Sequence, residues 1–330
     1  MGAVKRNGWI AAAVAAVMLP ACAAHAQEAA SLAYPTKPIR LIALSSPGSG
    51  PDVVGRLLGA RFTEAMGQQL IVDTRPGASG IIGAEIAAKA APDGYTLVII
   101  TSQATIVSVM YDKLPYSLVR DFSPISLIGS TPFILAVNPA VAATSVRELI
   151  ALAKSKPGEL RYGSGGAGSP PHLSAELLKS MTNINIQHVP YKGVTPAMTD
   201  TIAGQVHMLI SVIPAVLPSV RSGRLRALGI TSAKRSVIVP DVPTIAETVP
   251  GYEFIGWYSL FAPAKTPSAI IDKLNSEVVK SMQASGMRER LSDLGVEALS
   301  STPQDLAVYL AAQIEKMQAA VKASGARPDR

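Results

Sequence analysis

Two α/β lobes, each a mostly parallel sheet flanked by helices, are the fold class predicted by this 330-residue sequence. Three observations predict it. Short apolar runs alternate with amphipathic helical stretches, a strand–loop–helix unit with a Gly/Ser/Pro loop occurs twice, and two long extended segments stand where the chain would cross between lobes.

The first unit organises the chain. Residues 39–44 form an apolar strand, Ser45-Ser46-Pro47-Gly48-Ser49-Gly50-Pro51 a loop of small residues, and Val53, Val54, Leu57, Leu58 and Phe62 fall at helical spacing. N–H groups at the start of such a helix have no partner within it, the macrodipole adds partial positive charge, and glycine lets a ligand approach the backbone. The loop therefore suits a small anion. No Gly-Lys-Ser/Thr follows, which leaves a nucleotide P-loop unsupported; a carboxylate site and a tight strand-to-helix turn without ligand are the two readings of the loop alone. Asp52 complements the dipole at the same helix start, a structural role that stands beside a ligand contact.

The remaining elements follow the same alternation. Residues 69–73 read as a strand, 75–80 as another Gly-rich loop, 81–90 as a helix and 96–101 as a fully buried strand. Residues 123–138 form one extended segment broken by Pro132. Ser145-Val146-Arg147-Glu148 is a capping box opening a helix that ends near Pro157-Gly158. The opening pattern then returns as strand 160–162, loop 163–171 and helix 172–181. Strand 184–189, a helix from Thr195-Pro196 to Ala203, strand 206–210 ending at Ser211, a short helix 214–222 and strand 225–231 continue the chain. Residues 252–261 gather aromatic side chains in a second crossing. Helices over 268–285 and 303–323 close the chain and flank a short one stopped by Gly295. Small-residue loops at the carboxyl ends of strands in two joined lobes describe a cleft that closes on a ligand.

Composition narrows the class. Apolar residues make up 48% and charged residues 16%, which excludes disorder and allows two domains with ample core. Residues 1–26 read as a secretory signal, with Lys5 and Arg6 before an apolar centre over 9–19 and Ala24-His25-Ala26 as the cleavage site after Ala26. That centre is too short to span a bilayer. The alternative is lipid anchoring at Cys22, the only cysteine; cleavage after Ala26 leaves a mature chain without a disulfide. Of the formal charge of +7, Lys5 and Arg6 supply two, leaving +5 on the mature chain. That balance favours anionic partners, yet the basic residues are scattered and aromatics reach only 5%, so nucleic acid is not expected.

Other chemistries fit poorly. Gly163 to Gly168 matches G-x-G-x-x-G, but Ser169-Pro170-Pro171 separates it from its helix, and Gln187 and His188 stand where an acid for a ribose belongs. No G-x-S-x-G nucleophile elbow occurs, so a hydrolase built on Ser164 and His172 is only a minor alternative. His172, His188 and His207 are far apart and no cysteine joins them, so neither metal nor cofactor is expected.

Several stretches in order carry a family resemblance: Tyr34-Pro35-Thr36-Lys37-Pro38-Ile39-Arg40, Asp52-Val53-Val54-Gly55-Arg56-Leu57-Leu58, Arg75-Pro76-Gly77-Ala78-Ser79-Gly80, Ala90-Ala91-Pro92-Asp93-Gly94-Tyr95-Thr96-Leu97, Tyr162-Gly163-Ser164, His188-Val189-Pro190-Tyr191-Lys192-Gly193 and Pro240-Asp241-Val242-Pro243-Thr244. With the signal segment ahead of them, the mature chain resembles the extracytoplasmic solute receptors of tripartite tricarboxylate transporters, of Bug/TctC type. The resemblance implies a periplasmic binding protein of Venus-flytrap fold, without catalytic activity. Residues 27–130 would form the first part of lobe 1, 131–255 lobe 2, and 256–330 a return to lobe 1. It implies a small carboxylate as ligand, membrane permease subunits as partners, and a monomer.

The ligand positions carried over are Ser45, Ser46, Gly48, Ser49, Gly50 and Asp52 in the first loop, Ser102 and Gln103 after the third strand, and Ser164, Gly165, Gly168, Ser169, His172, Tyr191 and Ser211 in lobe 2. Two departures matter. The family loop commonly reads Pro-Phe-Pro-Ala-Gly-Gly-Ser-Thr-Asp, whereas Ser45 replaces the aromatic wall here and Gly50-Pro51 alters the helix start. Ser211 stands where the family often has an aspartate, so the expected ligand is a di- or tricarboxylate without an amino group. A sensor that passes its closed form to a signalling partner is the alternative to transport.

Overall fold

The structure, a computed structural model, describes residues 34–324; the signal segment, with Ala26 and Cys22, lies outside them. Strands β1 (Ile39–Ala43), β2 (Leu70–Thr74) and β3 (Thr96–Thr101) run parallel in the order β2-β1-β3. Each is followed by a helix: α1 (Gly50–Met66), α2 (Ile81–Ala88) and α3 (Ser102–Met110). These crossovers cover both sheet faces, which is why β3 is an unbroken apolar run.

β4 (Phe122–Val137) joins the lobes. Up to Pro132 it pairs antiparallel with β9 (Ile255–Pro263), which itself lies beside β3; from Phe133 it pairs with β7 (Met208–Val212) and β8 (Arg226–Ile230). Pro132, read from sequence as a break, sits inside a continuous strand. Proline lacks an N–H, and the position where a strand changes partners is where that loss is tolerated. β5 (Arg161–Ser164) and β6 (Gln187–Pro190) complete the second sheet, β5 running parallel to both β6 and β7. Helices α4 (Val146–Ser155), α5 (Pro170–Thr182), α6 (Val194–Ile202) and α7 (Ile213–Arg221) surround it.

Four apolar clusters fill the two lobes, one on each face of each sheet. In lobe 1, Val54, Leu58 and Phe62 of α1 pack with Leu274 and Val278 of α8 (Ser268–Gln283). A short α9 (Ser285–Asp293) and a two-residue strand β10 (Glu297–Ala298) against β4 lead to α10 (Pro303–Ser324). This last helix crosses the boundary: Leu306 and Leu310 belong to a lobe 1 core, whereas Met317 belongs to a lobe 2 core. The lobes are thus linked by β4, by the chain entering β9, and by α10.

Candidate functional site

The strand order puts the carboxyl ends of β1, β3 and β5 around one space. A cleft of about 500 Å³ is lined by Leu44, Ser45, Ser46 and Ser49 from the first loop, Pro76, Gly77, Ser79 and Gly80 from the loop before α2, Gln103 from α3, and Gly165, Gly166, Ala167 and Ser169 from the loop before α5. Both Gly/Ser loops face the same volume. No Asp, Glu, Lys, Arg or His is among the lining residues.

The first loop is held by its own serines and by Asp52. Ser49 Oγ lies 2.6 Å from both Ser45 Oγ and the Ser46 carbonyl oxygen. Asp52 is buried; its Oδ2 accepts the Gly48 N–H at 2.8 Å and its Oδ1 pairs with Arg56 Nε at 2.9 Å. Burial alone would raise the Asp52 carboxyl, but the Gly48 N–H and Arg56 outweigh it and hold it below the ordinary carboxylate range. Oδ2 thus holds the loop, while Oδ1 faces the Arg56 charge one turn along α1 without a well-aligned hydrogen bond. Gly50 leaves room for Tyr258, because a Cβ there would collide with Tyr258 Oη; burial raises that phenol, and it has no hydrogen-bond partner among the described residues.

The second loop is folded inward. The Gly166 carbonyl accepts Ser169 Oγ at 2.7 Å and Ser164 Oγ at 3.0 Å. A planar trans peptide then turns the Ala167 N–H the opposite way. The Gly166 N–H is bound by Ser164 Oγ at 3.2 Å and the Gly168 N–H by His172 Nδ1 at 3.0 Å. Ser169 caps α5 by accepting the His172 N–H, and Pro170 and Pro171 remove two further N–H groups from the helix start. The N–H groups of Gly165 and Ala167 have no acceptor among the described residues.

Of the positions carried from sequence, Ser45, Ser46, Ser49, Gln103, Gly165 and Ser169 line the cleft, with Gly48 and Gly50 in the first loop, Gly168 in the second and Ser102 beside Gln103 at the start of α3. Others are not among the lining residues. Ser164 Oγ lies 2.7 Å from His188 Nε2, not beside His172, and Tyr191 Oη donates to Asp200 Oδ2 at 2.7 Å. Ser211 is buried opposite Ile134, on the sheet face that packs against α7, with Oγ lacking a partner. The loop containing Pro76, Gly77, Ser79 and Gly80 was visible as Gly-rich but not placed in the site. Its signal is Arg75-Pro76-Gly77-Ala78-Ser79-Gly80 ahead of a helix, a second instance of the β1–α1 pattern. Gly77, Ala78, Ser79 and Gly80 all have positive φ, the strained turn that puts Ser79 on the rim.

Two α/β lobes joined through β4 and the chain entering β9, with opposed small-residue loops around an uncharged cleft, define a solute-binding protein. The comparisons narrow this class. The family model described as "Tripartite tricarboxylate transporter family receptor" matches residues 54–326, and the chain belongs to that family. Protein BugT of Bordetella pertussis is 37% identical over 300 residues, covering 89% of this chain and 91% of that protein. A UPF0065 protein from the tcbD-tcbE intergenic region of Pseudomonas sp. (strain P51) is 35% identical over 288 residues, 87% of this chain and 86% of its own length. Among solved structures, Rpa4515 of R. palustris with adipate superposes with a TM-score of 0.76 at 36% identity, covering 90% of this chain and 100% of that one. MatC of Rhodopseudomonas palustris with bound malate gives 0.72 at 30% identity over 87% of this chain and 100% of that one. The receptors of this family are extracytoplasmic solute-binding proteins, not enzymes; they bind small carboxylates and work with membrane transporter components. Among the described residues no helix is long and apolar enough to cross a membrane.

Proposed function

We propose that this chain, exported by cleavage after Ala26, captures an amine-free di- or tricarboxylate between its lobes and delivers it as a monomer to the permease of a tripartite tricarboxylate-type transporter. Lobe boundaries near residues 131 and 255 are part of this reading, supported by the change of β4 partners after Pro132 and the start of β9 at Ile255. One observation carries the reading: a single cleft is lined by the small-residue loops of both lobes and contains no charged side chain. An ammonium group would find no carboxylate there, since Asp52 is already bound to Gly48 and Arg56. A carboxylate would find neutral donors. Ser46 Oγ, Ser79 Oγ and the Gln103 amide have no protein partner among the described residues and border the same space. The adipate and malate held by the two R. palustris relatives are ligands of this chemistry.

A few charge-assisted bonds at about 1.5–3 kcal/mol each are sufficient for micromolar binding, about −8 kcal/mol. Calorimetry with adipate, malate and aspartate tests the proposal. Binding of adipate or malate tighter than aspartate supports it, and a roughly tenfold loss in Gln103→Ala places that amide on the ligand. Tighter binding of aspartate than of either amine-free acid refutes the specificity.

A further inference from the structure

Behind the second loop lies a polar stack, buried at His172 and half-buried at His188, that the clamp itself does not use. The His172 and His188 rings are parallel with centroids 4.0 Å apart, and Tyr162 stacks on His188 at 4.9 Å. Each imidazole holds one end of the loop: His188 Nε2 meets Ser164 Oγ at 2.7 Å, and His172 Nδ1 accepts the Gly168 N–H at 3.0 Å. From the geometry we infer that His172 and His188 are positioning residues for the lobe 2 arm of the cleft, acting through the loop and not on the ligand. The inference rests on the proposed function for its consequence in binding, but the hydrogen bonds it concerns exist without ligand.

Gly168 is buried with φ of +70°, and its N–H is a buried donor that must find an acceptor or stay unpaired. His172 supplies that acceptor only as the tautomer with its proton on Nε2, the nitrogen 3.9 Å from Glu176 Oε1. Glu176 is itself fixed by Tyr162 Oη at 2.6 Å and Lys179 Nζ at 2.7 Å. Protonating Nδ1 would set N–H against N–H, and a charge on one ring would face the other across the stack. The groups facing the pair are Glu176 and Lys179 from α5, Ser164 and Tyr162 from β5, and each ring itself. Burial outweighs the attraction of Glu176 and lowers both imidazoles, His188 to about 4 with the His172 ring adding to the effect. Both are neutral at pH 7. The arm keeps its shape while they remain so; its Ser164 end loosens as the pH falls from 6.5 toward about 4, and its Gly168 end as the pH falls below 6.5.

Amide exchange by NMR on the ligand-free chain tests this directly. His172→Leu loses protection at Gly168. His172→Asn, whose Oδ1 replaces Nδ1 as acceptor, restores it and removes the acid loosening at that amide. Adipate calorimetry then reads the consequence, a roughly tenfold weakening in His172→Leu that His172→Asn recovers. Unchanged Gly168 exchange in a folded His172→Leu overturns the inference. Lost Gly168 protection without any adipate binding by the wild-type chain would instead leave the positioning role standing and count against the ligand assignment.

Discussion

Replacing Asp52 by alanine separates a residue that shapes the first loop from one that touches the ligand. The carboxylate accepts the Gly48 N–H at 2.8 Å in a buried position, a charge-assisted bond of about 1.5–3 kcal/mol. Its pair with Arg56 adds less, because the Arg56 side chain is 59% exposed and such pairs give below about 1 kcal/mol. Position in the first turn of α1 contributes about 0.3–1 kcal/mol more through the dipole. These overlap, so Asp52→Ala is expected to cost about 2–3 kcal/mol, which lowers the melting temperature by about 4 °C for a chain of this size. Asp52→Asn keeps an acceptor for Gly48 and loses about half as much. Since the folded carboxyl lies below its ordinary value of 3.8, its contribution is complete above that pH and fades as the pH falls further. Thermal melts of the three proteins at pH 7 and pH 3 measure both effects. An Asp52→Ala protein that melts with the wild type at pH 7 yet loses carboxylate binding would refute the reasoning and return Asp52 to the ligand.

Other expectations follow from the same geometry. Gly94 has φ of +81°, and a Cβ there would lie 2.6 Å from Ile270 Cγ2 and 2.9 Å from Tyr34 Cε2; Gly94→Ala should cost about 2–4 kcal/mol by denaturant titration, and a cost within 0.5 would contradict the packing. Phe62, fully buried between α1 and the lobe 1 sheet, should cost about 3–5 kcal/mol as alanine, with no change in ligand affinity beyond that unfolding explains. His188, whose burial and His172 neighbour lower it from 6.5 to about 4, makes stability complete above pH 6.5 and decreasing from there to about pH 4, by at most about 1.4 kcal/mol per pH unit. A wild-type profile over that range no steeper than that of His188→Asn would contradict it. Trp257 is buried on β9 beside the β4 crossing, so lobe closure should alter its emission, and constant emission at saturating carboxylate would place the hinge motion elsewhere.

Local signals recovered most elements because each had its own period or punctuation. β3 was legible to the residue because six apolar or β-branched residues stand between a Gly94 turn and a helix start. The α4 start was legible through Ser145, which caps the Glu148 N–H, although Glu148 itself reaches Thr144 and not Ser145. What escaped were features set by distant partners. β10 has two residues and exists only as an edge on β4. α3 was read only as a segment after β3, since Ser102-Gln103-Ala104-Thr105 carries no capping signature; its packing against α10 makes it a helix of nine residues. The same division runs through the site. Loop composition exposed the two clamps, but whether a polar group faces the cleft or the protein depends on what lies behind it. Ser164 and Tyr191 carry the expected chemistry yet meet His188 and Asp200, partners that no local motif pairs with them.

The division of donors between lobes has an energetic consequence. On the proposed function, a carboxylate seated on the first loop of an open form would meet Ser46, Ser79 and Gln103 before the N–H groups of Gly165 and Ala167. Those two lobe 2 donors, at about 1.5–3 kcal/mol each toward a charged acceptor, would then supply about 3–6 kcal/mol realised only on closure. Turning a two-state equilibrium from mostly open to mostly closed requires a differential of about 5.5 kcal/mol, so the second arm alone is close to the size needed. A clamp built from arginine on one lobe would bind the same anion tightly without requiring the other lobe. Uncharged donors split between two lobes would instead make capture and closure one event.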